Sequence, residues 1–367
     1  MSNFGKTAGF SVNASRIGST GGLRTFAEAV LNCLNQKFED VDVLISEGIP
    51  VPNGMKKIAV PNWLRSSPGV SRLRPLLWLA YSVFWSPIRR SRRVLSTTHH
   101  VLPFRRDQIV TVHDLRPYFE PDTWLQKAYF HILLPRALRR CDGILTVSNT
   151  SKQALISVYG IDSHKIYVVP NPVMKPSSIF EESENGRKPE KPYLLMIGAS
   201  WKHKNANEVI DFHSLWQSKY RLKILAGAGK YRDQLRAQVA KLGLIDLVDF
   251  PDRSTKAQVE ELYNGCEALI YPSRMEGFGI PPLEAMAFGK PAIVSNIAVF
   301  RELYGDVPFY VELGDRESWR RALAEIDVSR QNANEWRRKA GVGLAHSFSQ
   351  ENTCAALTLA LEKIWGI

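Results

Sequence analysis

One segment constrains the fold more than any other. An apolar run, Ala268-Leu-Ile-Tyr271, passes through Gly277-Phe-Gly279 and a Pro281-Pro282 step into Leu283-Glu-Ala-Met-Ala287. The run reads as a buried strand. The prolines stand where a helix begins, since a first-turn residue needs no N–H partner there. A strand, a glycine turn and a helix N-terminus, in that order, aim backbone N–H groups and the positive end of a helix dipole at one point, an anion site. Glu276 and Glu284 flank the turn. Two carboxylates beside an anion site make chemical sense if they bind neutral donors such as sugar hydroxyls.

The same unit recurs along the chain. Leu194-Leu-Met-Ile197 ends at Gly198 and continues through Trp201-Lys-His-Lys-Asn205; Lys223-Ile-Leu-Ala226 ends in Gly227-Ala-Gly229. Earlier, Gly9-Phe-Ser-Val-Asn13 leads through a glycine-containing loop with Gly21 and Gly22 into a helical segment, Thr25–Leu34. Gln108-Ile-Val-Thr-Val112 closes on His113-Asp114, and two further strands are expected within Asp142–Asn149 and Lys165–Pro172, with Ser148 as a helix N-cap. Strands alternating with helices predict parallel sheets covered on both faces, and 367 residues suffice for two domains. The polar stretch 175–192, rich in Pro, Ser and Glu, predicts a linker. The expected layout is an N-terminal domain over 1–174, a C-terminal domain over 193–345, and a terminal segment 346–367 whose helix returns to the first domain. A lone Gly-x-Gly is weak evidence, and the loop at Gly21 and Gly22 does not fit a dinucleotide fingerprint.

The wording EGFGIPPLEAMAFGKPAIVS resembles the E-x7-E signature of the retaining glycosyltransferases of family 4. That resemblance implies an α/β protein of GT-B fold, two Rossmann-like domains facing each other across a cleft. It implies that Glu276 contacts the donor sugar, that Phe278, Gly279 and Ile280 lie by the sugar and diphosphate, and that Glu284 holds the ribose. Lys204 matches the family's diphosphate-binding Lys, although Ala199 stands where many members carry Arg. Gly198 and Gly227 match positions near the nucleotide. His113 matches a His facing the sugar, and Gly21 and Gly22 match a loop that meets donor or acceptor. Glu276, His113 and Lys204 are thus the catalytic candidates. No metal and no cofactor is implied, because Lys204 and the helix N-terminus could stabilise the leaving diphosphate.

Charge is uneven. Residues 1–180 hold 23 Lys+Arg against 11 Asp+Glu, and the remainder is balanced at 25 each, so the first half carries the whole net charge of +12. No acid lies between Glu47 and Asp107, a window with 11 basic residues. Inside it, Trp78, Tyr81 and Trp85 sit in an apolar stretch flanked by arginines and too short to span a bilayer, which takes ~20 residues. An anionic membrane surface is the expected partner of residues 65–106; an ordinary half-buried helix with a basic end is the competing reading. No nucleic-acid motif accompanies the basic charge, so no nucleic-acid partner is expected. Cys33, Cys141, Cys266 and Cys354 are scattered, and the expectation is four buried free thiols in a reducing compartment. Met1–Lys6 is polar and the next apolar run short, so no secretory signal is expected.

The resemblance implies transfer of a sugar from a nucleotide-diphosphate donor to a hydroxyl. The wording is closest to bacterial mannosyl- and rhamnosyltransferases of lipopolysaccharide O-antigen assembly. It implies GDP-mannose ahead of UDP or dTDP donors, an undecaprenyl-diphosphate-linked saccharide as acceptor, and a place on the cytoplasmic face of the inner membrane. Two other classes stay open: a nucleotide-sugar epimerase of the same fold, and a non-catalytic membrane scaffold.

Overall fold

The computed structural model describes residues 9–18, 21–46, 48–61, 64, 74–84, 86–174, 176, 191–251, 255–328 and 335–367. Most of the expected linker, residues 65–73, Trp85 and Asp252 lie outside them. The chain divides into two compact units, Met1–Pro172 with Gln350–Ile367, and Val173–Ser349.

The first unit is built on β1 (Phe10–Ala14), β2 (Asp42–Ile45), β3 (Lys56–Ala59), β4 (Arg93–Ser96), β5 (Gln108–Thr111), β6 (Gly143–Thr146) and β7 (Ile166–Val168). These form one sheet in the order β3-β2-β1-β4-β5-β6-β7, every neighbour parallel. The second unit holds β8 (Tyr193–Ile197), β9 (Arg221–Leu225), β10 (Val248–Asp249), β11 (Ala268–Tyr271), β12 (Ala292–Ser295) and β13 (Phe309–Val311), ordered β10-β9-β8-β11-β12-β13, again all parallel. Both are Rossmann-like. In each sheet the strand order reverses once, between β1 and β4 and between β8 and β11. Loops leaving two such neighbours part to opposite faces and open a crevice at the strands' carboxyl ends.

Burial of both faces explains why the central strands read as unbroken apolar runs. Phe130, Leu134, Val110 and Ile144 share one core cluster of the first unit; Leu44, Val60, Ile88 and Val94 share another with Trp78 and Tyr81. The second unit packs Met196, Ile224 and Ile270 with Trp216 and Trp319. Trp78 and Tyr81 are 4% and 3% exposed, so these two aromatics are core residues of the helix Arg74–Phe84 and cannot face lipid. Phe84, at the end of the same helix, is 65% exposed.

Ser148 is the N-cap of Asn149–Tyr159, its side chain accepting from Ser151 N. The terminal helix Gln350–Trp365 docks in the first unit: Gln350 donates to Ala29 O, Thr353 to Pro170 O and Trp365 Nε1 to Asp142 Oδ2. Cys33 and Cys354 form a disulfide, which corrects the expectation of four free thiols; Cys141 and Cys266 are free and buried. The partners lie 321 residues apart in sequence, and only the docking of the last helix on Gly22–Lys37 brings them together.

Candidate active site

Sequence neighbours do not make the site of the second unit; sheet neighbours do. β8 ends at Gly198, whose φ of +77° is a left-handed conformation open to glycine. The chain then makes a short 3-10 turn, Lys202–Lys204, and enters Ala206–Asp211 through Asn205. Beside it, β11 ends at Tyr271 and its loop runs to Gly279. Arg274 laces the two loops together: its N–H donates to His203 O (2.8 Å) and its guanidinium to Asn205 Oδ1 (2.9 Å). Ser295 on β12 holds the loop from the other side by donating to Ser273 O.

This lacing sets Lys204 Nζ 2.5 Å from Glu276 Oε1, with side chains only 15% and 12% exposed. Lys204 also donates to Tyr271 OH at 2.6 Å. Burial alone pushes the Glu276 carboxyl up; the charge of Lys204 and its hydrogen bond outweigh burial and hold the carboxyl below its ordinary range. Tyr271 goes the other way, raised by burial and by the Glu276 charge. The site therefore carries a carboxylate and an ammonium bound to each other.

Past Glu276 the backbone takes a turn that admits glycine alone. Gly279 has φ +98°, and a Cβ there would collide with the Tyr304 hydroxyl and come within 2.6 Å of the Phe300 ring. Tyr304 OH donates to Gly279 O at 2.5 Å, fixing the turn. Phe278 is buried against Phe348, rings edge to face at 5.3 Å, so it offers the site backbone and not side chain. The helix Ile280–Ala287 follows, with Pro281 and Pro282 removing two N–H groups from its first turn. The N–H groups of Phe278, Gly279 and Ile280 donate to no described residue. Glu284, further along the helix, accepts from Tyr263 OH at 2.7 Å. Burial raises its carboxyl, and the Tyr263 hydrogen bond only partly offsets this. Gly227, beyond the end of β9, donates its N–H to Ser200 Oγ in the loop after β8 (2.8 Å). The second unit thus gathers Gly198, Lys204, Gly227, Glu276, Phe278, Gly279, Ile280 and Glu284 around the carboxyl ends of β9, β8 and β11. A cavity of about 450 Å³ opens at the opposite edge, where β12 begins, among Met286, Lys290, Ala292 and Arg338, and contains none of them.

The first unit carries the other candidates. His113 follows β5 and is 9% exposed. Its Nε2 lies 3.0 Å from Thr97 O. A carbonyl only accepts, so Nε2 carries the proton and Nδ1 is left as an acceptor. Burial depresses the imidazole, against weaker pulls from the Thr97 bond and Asp114, so His113 is neutral. Phe26 packs edge-on against its ring at 4.9 Å. Phe26 belongs to Gly22–Lys37, whose N-cap Gly21 has φ +97°; Gly21 and Gly22 therefore begin the helix that packs on His113.

Several residues escaped sequence reasoning. Tyr271, Arg274, Tyr263 and Tyr304 position the carboxylates and the turn. His99 and His100 stack at 4.4 Å, and His100 Nδ1 pairs with Thr98 Oγ1 at 2.7 Å. Burial, then the nearness of the His113 imidazole and the charges of Arg16 and Arg116, pulls His99 down to about 3. The signal available was the His doublet at the end of an apolar run. The chain's Asp-x-Asp, Asp40-Val41-Asp42, stands where β2 begins, the wrong end of its sheet for a diphosphate-bound metal. Among the described residues no group of three His, Cys, Asp or Glu is placed to hold a metal ion.

Residues 20–174 match the family described as Glycosyltransferase Family 4, and residues 178–341 match Glycosyl transferases group 1. The O-antigen chain mannosyltransferase RfbU of Salmonella typhimurium is 38% identical over 327 residues, 86% of this chain and 90% of that protein. The chain belongs to the family 4 glycosyltransferases. The enzyme is also similar to O-antigen chain mannosyltransferase B of Escherichia coli, 26% identical over 80% of this chain and 81% of that one. In three dimensions it matches the sucrose-phosphate synthase of Thermosynechococcus elongatus with a TM-score of 0.79 at 15% identity, covering 97% and 99% of the two chains. That likeness establishes the GT-B fold. No described helix is long and apolar enough to cross a membrane.

Proposed function

We propose that the enzyme transfers mannose from GDP-mannose to a hydroxyl of a lipid-linked saccharide, with retention of the anomeric configuration and without a metal, in O-antigen or related polysaccharide assembly at the inner face of the cytoplasmic membrane. The names of the two mannosyltransferase relatives support the sugar and the setting. The observation that carries the chemistry is the Lys204–Glu276 pair beside three uncommitted backbone N–H groups.

An incoming diphosphate offers Lys204 a better partner than Glu276, and the N–H groups of Gly279 and Ile280 complete its cradle. Glu276, released, accepts from hydroxyls of the donor sugar. Glu284, held by Tyr263, accepts from the ribose. His113 keeps Nδ1 as an acceptor for a substrate hydroxyl. The anomeric C–O bond breaks with its electron pair passing to the diphosphate, where Lys204 and the helix N-terminus stabilise the charge. The acceptor oxygen bonds to the same face of the anomeric carbon, and its proton passes to the departing phosphate oxygen.

Thermal shift against GDP, UDP, dTDP and CMP, with and without EDTA, tests the donor. A ligand at a hundred times its Kd adds about 2.7 kcal/mol. GDP alone should raise Tm, equally in EDTA; a response to UDP alone, or one abolished by EDTA, sinks the respective claim. Glu276→Gln should lose mannosyl transfer while keeping its fold; full activity in that variant would overturn the assignment.

A further inference from the structure

The basic, aromatic segment expected at lipid spends Trp78 and Tyr81 in the core, which leaves the membrane surface of the first unit unassigned. Helical backbone runs from Trp124 to Arg140, through Trp124–Ala128, a π turn at Tyr129–Leu133, and Leu134–Arg140. Its inner side is committed: Phe130, Leu134 and Leu138 are buried in one cluster. Its outer side shows Trp124 at 75% and Ile132 at 54% exposure, with Lys127, Arg136, Arg139 and Arg140 also exposed. No acid lies between Asp122 and Asp142, and Asp122 is itself paired with Arg116 at 2.9 Å. One edge of the sheet adds to this. β5 and β6 start together, Ile109 opposite Gly143, so the turn before β5, with Phe104 85% exposed next to Arg106, lies at the same edge as Arg139 and Arg140; the exposed acids of that edge, Asp107 and Asp142, stand past the helix's end, and Asp142 accepts from Trp365 Nε1.

We infer that this helical face, Trp124 to Arg140, is the surface by which the enzyme sits on an anionic lipid bilayer. An exposed Trp and Ile interleaved with cations and free of acid suit the headgroup boundary, where an amphipathic ring finds both its media and cations meet anionic lipid. A protein partner would need a defined apolar socket; this face offers apolar side chains spaced among charges, complementary to a fluid negative surface. The inference rests on the lipid-linked acceptor proposed above, and its test is independent of transfer.

The full-length enzyme is sedimented with vesicles of phosphatidylcholine and phosphatidylglycerol, and with phosphatidylcholine alone. Binding is expected to the first and not to the second. The variant Trp124→Ser/Ile132→Ser, and separately Lys127→Ser/Arg136→Ser/Arg140→Ser, should weaken binding, the second by roughly fivefold per charge removed. Both should keep the wild-type Tm and keep transfer to a water-soluble acceptor. Arg89→Ser/Arg90→Ser/Arg92→Ser should bind as wild type. Wild-type binding by both surface variants, loss of binding in the Arg89 set alone, or no binding by the unaltered enzyme would each overturn the inference. Failure of transfer with vesicle binding intact would instead strike the donor and acceptor reading.

Discussion

Two glutamates in one motif are tuned in opposite directions, and the cause lies outside the motif. Glu276 meets Lys204, 72 residues away, and is held down; Glu284 meets Tyr263, 21 residues away, and is left raised. Breaking the first pair should therefore cost more than a surface ion pair does. Lys204→Met strands a carboxylate that is only 12% exposed and should lose about 2–3 kcal/mol. In a double-mutant cycle, Lys204→Met/Glu276→Gln should cost at least 1 kcal/mol less than the sum of the single changes; additive losses in urea unfolding would show that the pair is not coupled. The glycines divide by space rather than by φ. Gly198 and Gly279 both have positive φ, but a Cβ at Gly198 meets nothing within 4 Å while one at Gly279 strikes Tyr304 and Phe300. Gly198→Ala should cost about 1 kcal/mol from backbone strain alone, and Gly279→Ala about 3 kcal/mol or more with loss of nucleotide binding. Equal losses would refute the collision. The sequence displayed Glu276, Glu284, Lys204 and the glycines because the motif is local. It hid Tyr271, Tyr263, Tyr304 and Arg274, since nothing in a Tyr or Arg on an apolar run says which carboxylate or carbonyl the fold will bring to it.

At the level of elements, what could be read was what lies buried on both faces. β5, β6 and β11 are buried throughout and appear in the sequence as apolar runs. β3, with the sequence Lys-Lys-Ile-Ala and mostly exposed, sits at a sheet edge where one side chain in two need not be apolar, and no pattern announced it. The helix Arg74–Phe84 was legible as a helix, but the burial of Trp78 and Tyr81 was not, because Trp and Tyr among arginines look the same whether they meet lipid or Leu44 and Val94. The cysteines failed for a related reason. Spacing carries no signal when the closing contact is made by two helices from opposite ends of the chain. That bond has a measurable consequence. Cys33→Ser should lower the stability of the first unit by about 2–4 kcal/mol without reductant. Dithiothreitol should bring the wild type down to the variant and leave the variant unmoved. A wild type indifferent to reductant, or a variant as stable as wild type, would contradict a bond that ties the terminal helix down.

Across the whole molecule, the two units should respond to acid with opposite sign. In the first unit, burial depresses His99, His100 and His113. A depressed imidazole stays neutral in the fold while the unfolded chain protonates below about pH 6.5, so protons favour unfolding and stability falls as the pH drops through that value. Each such histidine removes up to about 1.4 kcal/mol per pH unit while the pH lies between its folded value and 6.5. In the second unit Glu276 is depressed, so its stabilisation is complete above the unfolded carboxyl value near 4.3 and is lost only below it. Glu284 is raised, so the fold takes up its proton before the unfolded chain does, and stability rises as the pH falls towards that value. Between pH 7.5 and 5.5 the first unit should weaken while the second holds or gains. Calorimetry should therefore show a low-temperature transition that descends with pH and separates from a second one that does not. Because residues 1–180 already carry the whole net positive charge, part of the descent is repulsion between cations, and 0.5 M salt should remove that part through screening. The part owed to burial should survive salt and diminish in His99→Gln/His100→Gln. If the two transitions move together, or if salt abolishes the pH dependence entirely, buried neutral histidines are not what sets the acid limit of the first unit.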